Sequence, residues 1–103
     1  MVIGLARLEL LIPWSTSLKD KRSIVHRIVQ RGRARFNASI AEVDALDLHQ
    51  RAVIGVAVVS NSTQHARSML DGIVATMLAG ADAELLSRDI VVQQVGDHDF
   101  TGI

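Results

Sequence analysis

Several chemistries are closed to this chain because the residues they need are absent or scarce. The 103 residues include no cysteine, no tyrosine, one proline and three aromatic residues, Trp14, Phe36 and Phe100. Without cysteine there is no disulfide, thiolate nucleophile or cysteine-ligated zinc site, which fits a reducing compartment. The segment after Met1 has no basic leader and includes Arg7 and Glu9. We therefore predict neither a signal peptide nor a membrane span, and expect a cytoplasmic protein.

Catalytic and cofactor-binding motifs are also missing. The glycines are scattered and form no phosphate-binding loop, no GxSxG elbow is present, and the histidines have no zinc-binding spacing. Glu42, Asp44 and Asp47 cluster around a predicted hairpin, but no nucleophile accompanies them. We expect a solvated hairpin end there, and we predict no catalytic residue, no metal site, no cofactor and no enzymatic activity.

Hydrophobic periodicity predicts six structural elements. Residues 2–12 alternate with one fully apolar face, and residues 51–60 are apolar on both faces, which is typical of central strands. Ser17 is a good N-cap for a helix ending near Arg35, and a second helix is expected over residues 63–78. Weaker patterns indicate strands over residues 37–43 and 83–93.

This order of elements predicts an α+β, ferredoxin-like βαββαβ fold, with a four-stranded antiparallel sheet and two helices on one face. Right-handed crossovers would place the first and third strands in the centre. We expect a single domain over residues 1–95 and a flexible C-terminal tail over residues 96–103.

The sheet face away from the helices should be apolar and uncovered. The candidates for this patch are Ile3, Leu5, Leu11, Val53, Ala57 and Val59. Such a patch usually marks an interface, so we predict a homodimer or larger homo-oligomer packed through this face. Alternatively, the tail or the loop containing Leu46 and Leu48 folds over it. A regulatory module would instead hold a small molecule or a protein on this face or in a dimer crevice.

The charges are unevenly distributed although the formal net charge is zero. Asp20 is the single acid among seven basic residues of the predicted first helix: Lys19, Lys21, Arg22, Arg27, Arg31, Arg33 and Arg35. Such a helix can neutralise phosphates without reading base sequence, so RNA is a candidate partner and DNA sequence readout is not expected. The alternative is a solvated helix face that keeps the chain soluble.

The aromatic residues restrict how RNA would bind. None lies in the first or third strand, so bases are not expected to stack on the sheet as they do in RRM domains. Trp14 precedes the basic helix. It would either pack on the end of that helix, which we favour, or stack on a base or anchor a partner.

Four stretches of sequence resemble the YlxP-like proteins, a bacterial family of small domains of unknown function. They cover about residues 1–95 and include Ser17-Leu18-Lys19-Asp20-Lys21-Arg22, a segment from Arg35 to Val43, and a segment from Gln50 to Ser60. The resemblance implies a ferredoxin-like fold. Genes of the family often lie near those of transcription, translation-initiation and ribosome-maturation factors, which implies a role around RNA or the ribosome. No binding residues are established for the family.

Overall fold

The computed structural model describes residues 1–100 of the chain. In chain order its elements are β1 (Val2–Leu11), α1 (Leu18–Arg35), β2 (Ser39–Asp44), β3 (Arg51–Ser60), α2 (Thr63–Leu78), β4 (Glu84–Gln94) and a short 3₁₀ helix (Asp97–Phe100). The four strands form one antiparallel sheet in the order β2-β3-β1-β4. The predicted βαββαβ fold and the central position of β1 and β3 are thereby confirmed, with element ends differing from prediction by two residues or fewer.

Both helices begin at a serine cap. The Ser17 hydroxyl accepts a hydrogen bond from the backbone N–H of Asp20, and the Ser62 hydroxyl accepts one from the backbone N–H of His65. Each cap satisfies a backbone donor that has no partner within its helix. The sequence therefore determines where α1 and α2 start.

The core lies between the helices and one face of the sheet. Alternate residues of β1 and β3, such as Leu8, Leu10 and Ile54, are fully buried there. On α1, Gly32 allows close packing, because a Cβ atom at this position would lie 2.6 Å from Ile40 Cδ1 and 2.9 Å from Met77 Cγ. Gly32 therefore permits the close approach of α1 to β2 and α2.

One end of the sheet joins the β1–α1 turn to the β2–β3 loop. The backbone N–H of Ile12 donates to the carbonyl of Gln50, 2.8 Å away. The Gln50 side-chain amide in turn donates to the carbonyls of Pro13 and Ser15. Ser15 is buried, and its hydroxyl donates to the carbonyl of Ser17. These bonds hold the turn before α1 in a defined conformation.

The C-terminal end of the chain follows β4. The chain runs antiparallel past the first residue, since the N–H of Val95 donates to the carbonyl of Met1. Part of the predicted tail, Asp97–Phe100, forms the 3₁₀ helix, and residues 101–103 lie outside the described residues. Among residues 1–100, no helix is long and apolar enough to cross a membrane.

Candidate nucleic-acid interface

Six of the seven predicted basic residues lie on the exposed surface of α1. They are Lys19, Arg22, Arg27, Arg31, Arg33 and Arg35. The helix buries its opposite stripe, which includes Val25, Ile28 and Val29, against the sheet and α2. The cations thus cover the outward surface of α1 and both of its flanks.

Lys21 does not belong to this surface, and its prediction as a phosphate contact is wrong. Its side chain is fully buried. The Nζ atom donates to the carbonyls of Ala45, Leu46 and Arg51 at 2.9, 3.3 and 3.2 Å. It also lies 2.8 Å from Glu42 Oε2. An ammonium enclosed by four oxygens of its own chain is not available to an external phosphate.

The buried ammonium connects α1 to the loop between β2 and β3. Three of the four oxygen partners of the ammonium belong to residues 42–46. In this segment Ala45 has a positive φ of 57°. Glu42 Oε2 has no hydrogen-bond partner in the described chain apart from this ion pair. The expectation that Glu42 belongs to a solvated hairpin end is therefore wrong, although Asp44 and Asp47 are exposed.

Helical spacing contained the signal for the burial of Lys21. The residue lies four positions before Val25 and seven before Ile28, and such positions share one helix face. On β2, Glu42 shares its sheet face with the buried Ile40, two residues earlier. A lysine and a glutamate that both fall on buried stripes predict a buried ion pair.

Two of the six surface cations are bound to main-chain carbonyls. Arg31 Nη1 donates to the carbonyl of Ala79, the C-cap residue of α2, at 2.7 Å. Arg33 Nη2 donates to the carbonyl of Ile40 on the edge strand β2, also at 2.7 Å. Arg27, one helical turn before Arg31, makes no contact of this kind within residues 1–100.

The other four cations are free of such contacts. Within residues 1–100, Lys19, Arg22, Arg27 and Arg35 make no hydrogen bond or ion pair. They span nearly the whole of α1, about 24 Å at 1.5 Å per residue. These side chains can turn toward an anionic partner without breaking an intramolecular contact.

Trp14 lies in the turn that precedes this helix and is 81% exposed. Because of this exposure, the prediction that Trp14 packs on the helix end is wrong. The turn is held instead by main-chain contacts and by the Gln50 side chain. The ring is therefore an exposed aromatic surface next to the start of the basic helix.

Asp20 is the acid at the start of α1. The Thr16 hydroxyl donates to its Oδ2 at 2.7 Å and the Thr16 backbone N–H donates at 3.1 Å, and these bonds lower the pKa of the Asp20 carboxyl from its ordinary value. Asp20 therefore stays ionised at neutral pH and serves the helix start.

The sheet face away from the helices carries the predicted interface residues, with one exception. Leu5 and Val59 are 43% and 65% exposed, while Ile3, Leu11 and Ala57 are partly exposed. Val53 is only 4% exposed, so its inclusion in an open patch is wrong. It lies opposite Glu9 in the β1–β3 register, and an ion pair between Arg51 and Glu9 borders this position.

Comparisons with known proteins bear on the family and on the fold. The chain is 38% identical over 74 residues to an uncharacterised protein, YlxP of Bacillus subtilis (strain 168), an alignment that covers 72% of this chain and 80% of that protein. The fold of the chain is similar to that of a de novo designed protein with a ferredoxin fold, whose structure was solved by NMR in solution. The TM-score is 0.61 and the identity 15%, over 94% of this chain and 90% of the designed protein.

A family model described as a protein of unknown function (DUF503) matches residues 3–90. This range extends from β1 through α1, β2, β3 and α2. The chain therefore belongs to the DUF503 family, in agreement with its predicted resemblance to the YlxP-like proteins.

Proposed function

We propose that the chain is a non-enzymatic, cytoplasmic accessory protein that binds RNA, free or within ribosomal particles, through the outer surface of α1. The observation that carries this proposal is a set of four exposed cations around the outer surface of one helix, Lys19, Arg22, Arg27 and Arg35, whose side chains make no intramolecular hydrogen bond or ion pair within residues 1–100. Arg31 and Arg33, in contrast, donate to main-chain carbonyls of their own chain.

Contacts to the phosphate backbone account for binding without sequence specificity. Each phosphate neutralised by an arginine or lysine releases counterions, so the binding constant falls with salt. Four contacts to a single strand give a slope of about −3 for the logarithm of the binding constant against the logarithm of the salt concentration.

Trp14 provides the second element of the proposed site. The sheet strands β1 and β3 contain no aromatic residue for base stacking, whereas the Trp14 ring is exposed just before α1. Stacking of one base on an aromatic side chain contributes about 1–3 kcal/mol. RNA with unpaired bases is therefore the ligand that the proposed site favours.

Fluorescence anisotropy with a labelled single-stranded oligouridine tests this function. We expect Arg22→Glu/Arg27→Glu to weaken binding strongly and to reduce the salt slope from about −3 to about −1.4, since two of four phosphate contacts are lost. Trp14→Ala should weaken binding about 5- to 150-fold and leave the salt slope unchanged. The two variants thus separate phosphate contacts from stacking.

The matched control is Arg67→Glu, compared with the single variant Arg27→Glu. Arg67 is an exposed arginine of α2, outside the proposed surface. Both changes alter the net charge equally, so equal losses of affinity would refute a site on α1. Unchanged binding by Arg22→Glu/Arg27→Glu would refute the proposal as well.

A further inference from the structure

The open face of the sheet differs between its two sides at the level of Leu5. On the β2–β3 side the residues at this level are small, Ser39 on β2 and Ala57 on β3, and they line a shallow depression. On the β1–β4 side, Leu5 and Val91 are 43% and 53% exposed. Elsewhere on the β2–β3 side Val43 and Val59 are exposed as well, so the contrast between large and small side chains belongs to this level of the sheet.

We propose that this face packs against the same face of a second copy of the chain, around a two-fold axis that runs parallel to the strands between β3 and β1. Such an axis exchanges β1 with β3 and β4 with β2. At the level of Leu5, the larger side chains of each copy then lie over the small side chains of the other.

The strand register brings complementary residues to the same level. Leu5 is the cross-strand partner of Ala57 and of Val91, and Ala57 is the partner of Ser39. The two-fold axis keeps positions along the strands, so Leu5 lies over Ala57 of the second copy and Val91 lies over Ser39 of the second copy. In both pairs a large side chain meets a small one, as close packing requires.

The charges of the face also suit a copy of itself. Glu9 and Arg51 form an ion pair of 2.6 Å within one chain. Arg7 and Asp89 are cross-strand partners of opposite charge on the same face. Because these charges balance locally, two identical faces do not repel each other, and the face offers no excess charge to a strongly acidic or basic partner.

The available area is sufficient for a reversible dimer. The four strands have 10, 6, 10 and 11 residues. At about 4.8 Å between strands and about 3.3 Å per residue they give a face of about 600 Å², so two copies would bury about 1,200 Å², at the lower end of specific interfaces. Nothing in residues 1–100 covers the face: Leu46 and Leu48 are each 55% exposed in the β2–β3 loop, and Leu5 remains exposed.

Sedimentation equilibrium tests whether the dimer forms. We expect the full chain to be a dimer in reversible equilibrium, and Val91→Arg to be a monomer because it places two buried guanidinium groups in the interface. The matched control is Leu48→Arg, an exposed leucine outside the face, which should remain a dimer. A monomeric wild type, which leaves the face to another ligand or protein, overturns the proposal, as does a Val91→Arg variant that dimerises normally.

Crosslinking tests the position of the axis, and the lack of cysteine in the chain makes it specific. A mixture of Val91→Cys and Ser39→Cys chains should be joined by a short bis-maleimide, because packed sheets lie about 10 Å apart. Val91→Cys alone should not crosslink, since two β4 edges lie on opposite sides of the proposed axis. Efficient crosslinking of Val91→Cys to itself overturns this arrangement.

Discussion

Lys21→Met tests the structural role of the buried ammonium, because methionine is an unbranched side chain of similar length without a charge. The substitution removes the cation 2.8 Å from Glu42 Oε2. It also removes the donor shared by the carbonyls of Ala45, Leu46 and Arg51. Glu42 loses its ion pair and the three carbonyls lose this donor, although the Ala45 carbonyl keeps the hydrogen bond that it accepts from the Leu48 N–H, 3.1 Å away.

The magnitude follows from the burial of the pair. Breaking a buried ion pair by removing one partner costs about 3–5 kcal/mol, because the other charge remains without compensation. The Glu42 side chain is 15% exposed, so water reaches it in part and we expect about 3 kcal/mol, the lower end of this range. In a domain of this size such a loss lowers Tm by roughly 12–24 °C.

Urea and thermal unfolding followed by far-ultraviolet circular dichroism measure this loss. Tryptophan fluorescence is a poor probe here, since Trp14 is already exposed in the folded chain. The matched control is Lys19→Met, an exposed lysine two residues earlier, which should stay within about 0.5 kcal/mol of wild type.

A second substitution identifies the cause of the destabilisation. Lys21→Met/Glu42→Leu removes the uncompensated carboxylate and should be more stable than Lys21→Met alone. If Lys21→Met unfolds like wild type and like Lys19→Met, the ammonium does not stabilise the β2–β3 loop and the reasoning is refuted.

Two further predictions concern α1. Gly32→Ala should gain about 1 kcal/mol in helix propensity but lose about 1–3 kcal/mol to overpacking against Ile40 and Met77. Urea unfolding should therefore show a net destabilisation. A stabilised variant would contradict the close packing. Thr16→Val should raise the pKa of Asp20 toward its ordinary value, because the hydroxyl bond is the largest cause of its lowering. The stability linked to this lowered pKa is present above about pH 4, and it is lost as the pH falls through the pKa of Asp20 in the folded protein. NMR titration of the Asp20 carboxyl carbon in both proteins checks this, and identical curves would contradict it.

The fold could be predicted because its signals are local and agree with one another. Ser17 and Ser62 mark the helix starts, and the alternating pattern of β1 identifies the face that packs on the helices. The apolar character of both faces of β3 placed it correctly in the centre of the sheet. The expected bounds of α2 agree with the structure because Ser62 precedes the helix and Gly80 follows it.

The site was predicted less well, because it depends on contacts between distant segments. The charge pattern of α1 identified the basic surface but not which cations have partners, since Ala79 and Ile40 approach Arg31 and Arg33 only in the folded chain. The turn that contains the exposed Trp14 is held by Gln50, a residue of the distant β2–β3 loop.

The buried positions of Lys21 and Val53 show two different limits of sequence reasoning. Lys21 shares a helix face with Val25 and Ile28, so its burial was present in the pattern and was outweighed by the expectation that lysine is exposed. Val53 lies on the predicted sheet face but is buried. The β1–β3 register places it next to Glu9 and near the ion pair between Glu9 and Arg51. Alternation alone contains no information about such a cross-strand neighbour.

Gentle lysis followed by sedimentation of the tagged full-length protein tests the central claim most directly. The basic surface of α1 predicts that the wild type sediments with RNA-containing particles in low salt and is released in high salt. It also predicts that Arg22→Glu/Arg27→Glu remains in the free fraction in both conditions. A wild type that migrates as a small free species in low salt, or a double variant that still sediments with the particles, would contradict the claim that α1 binds RNA.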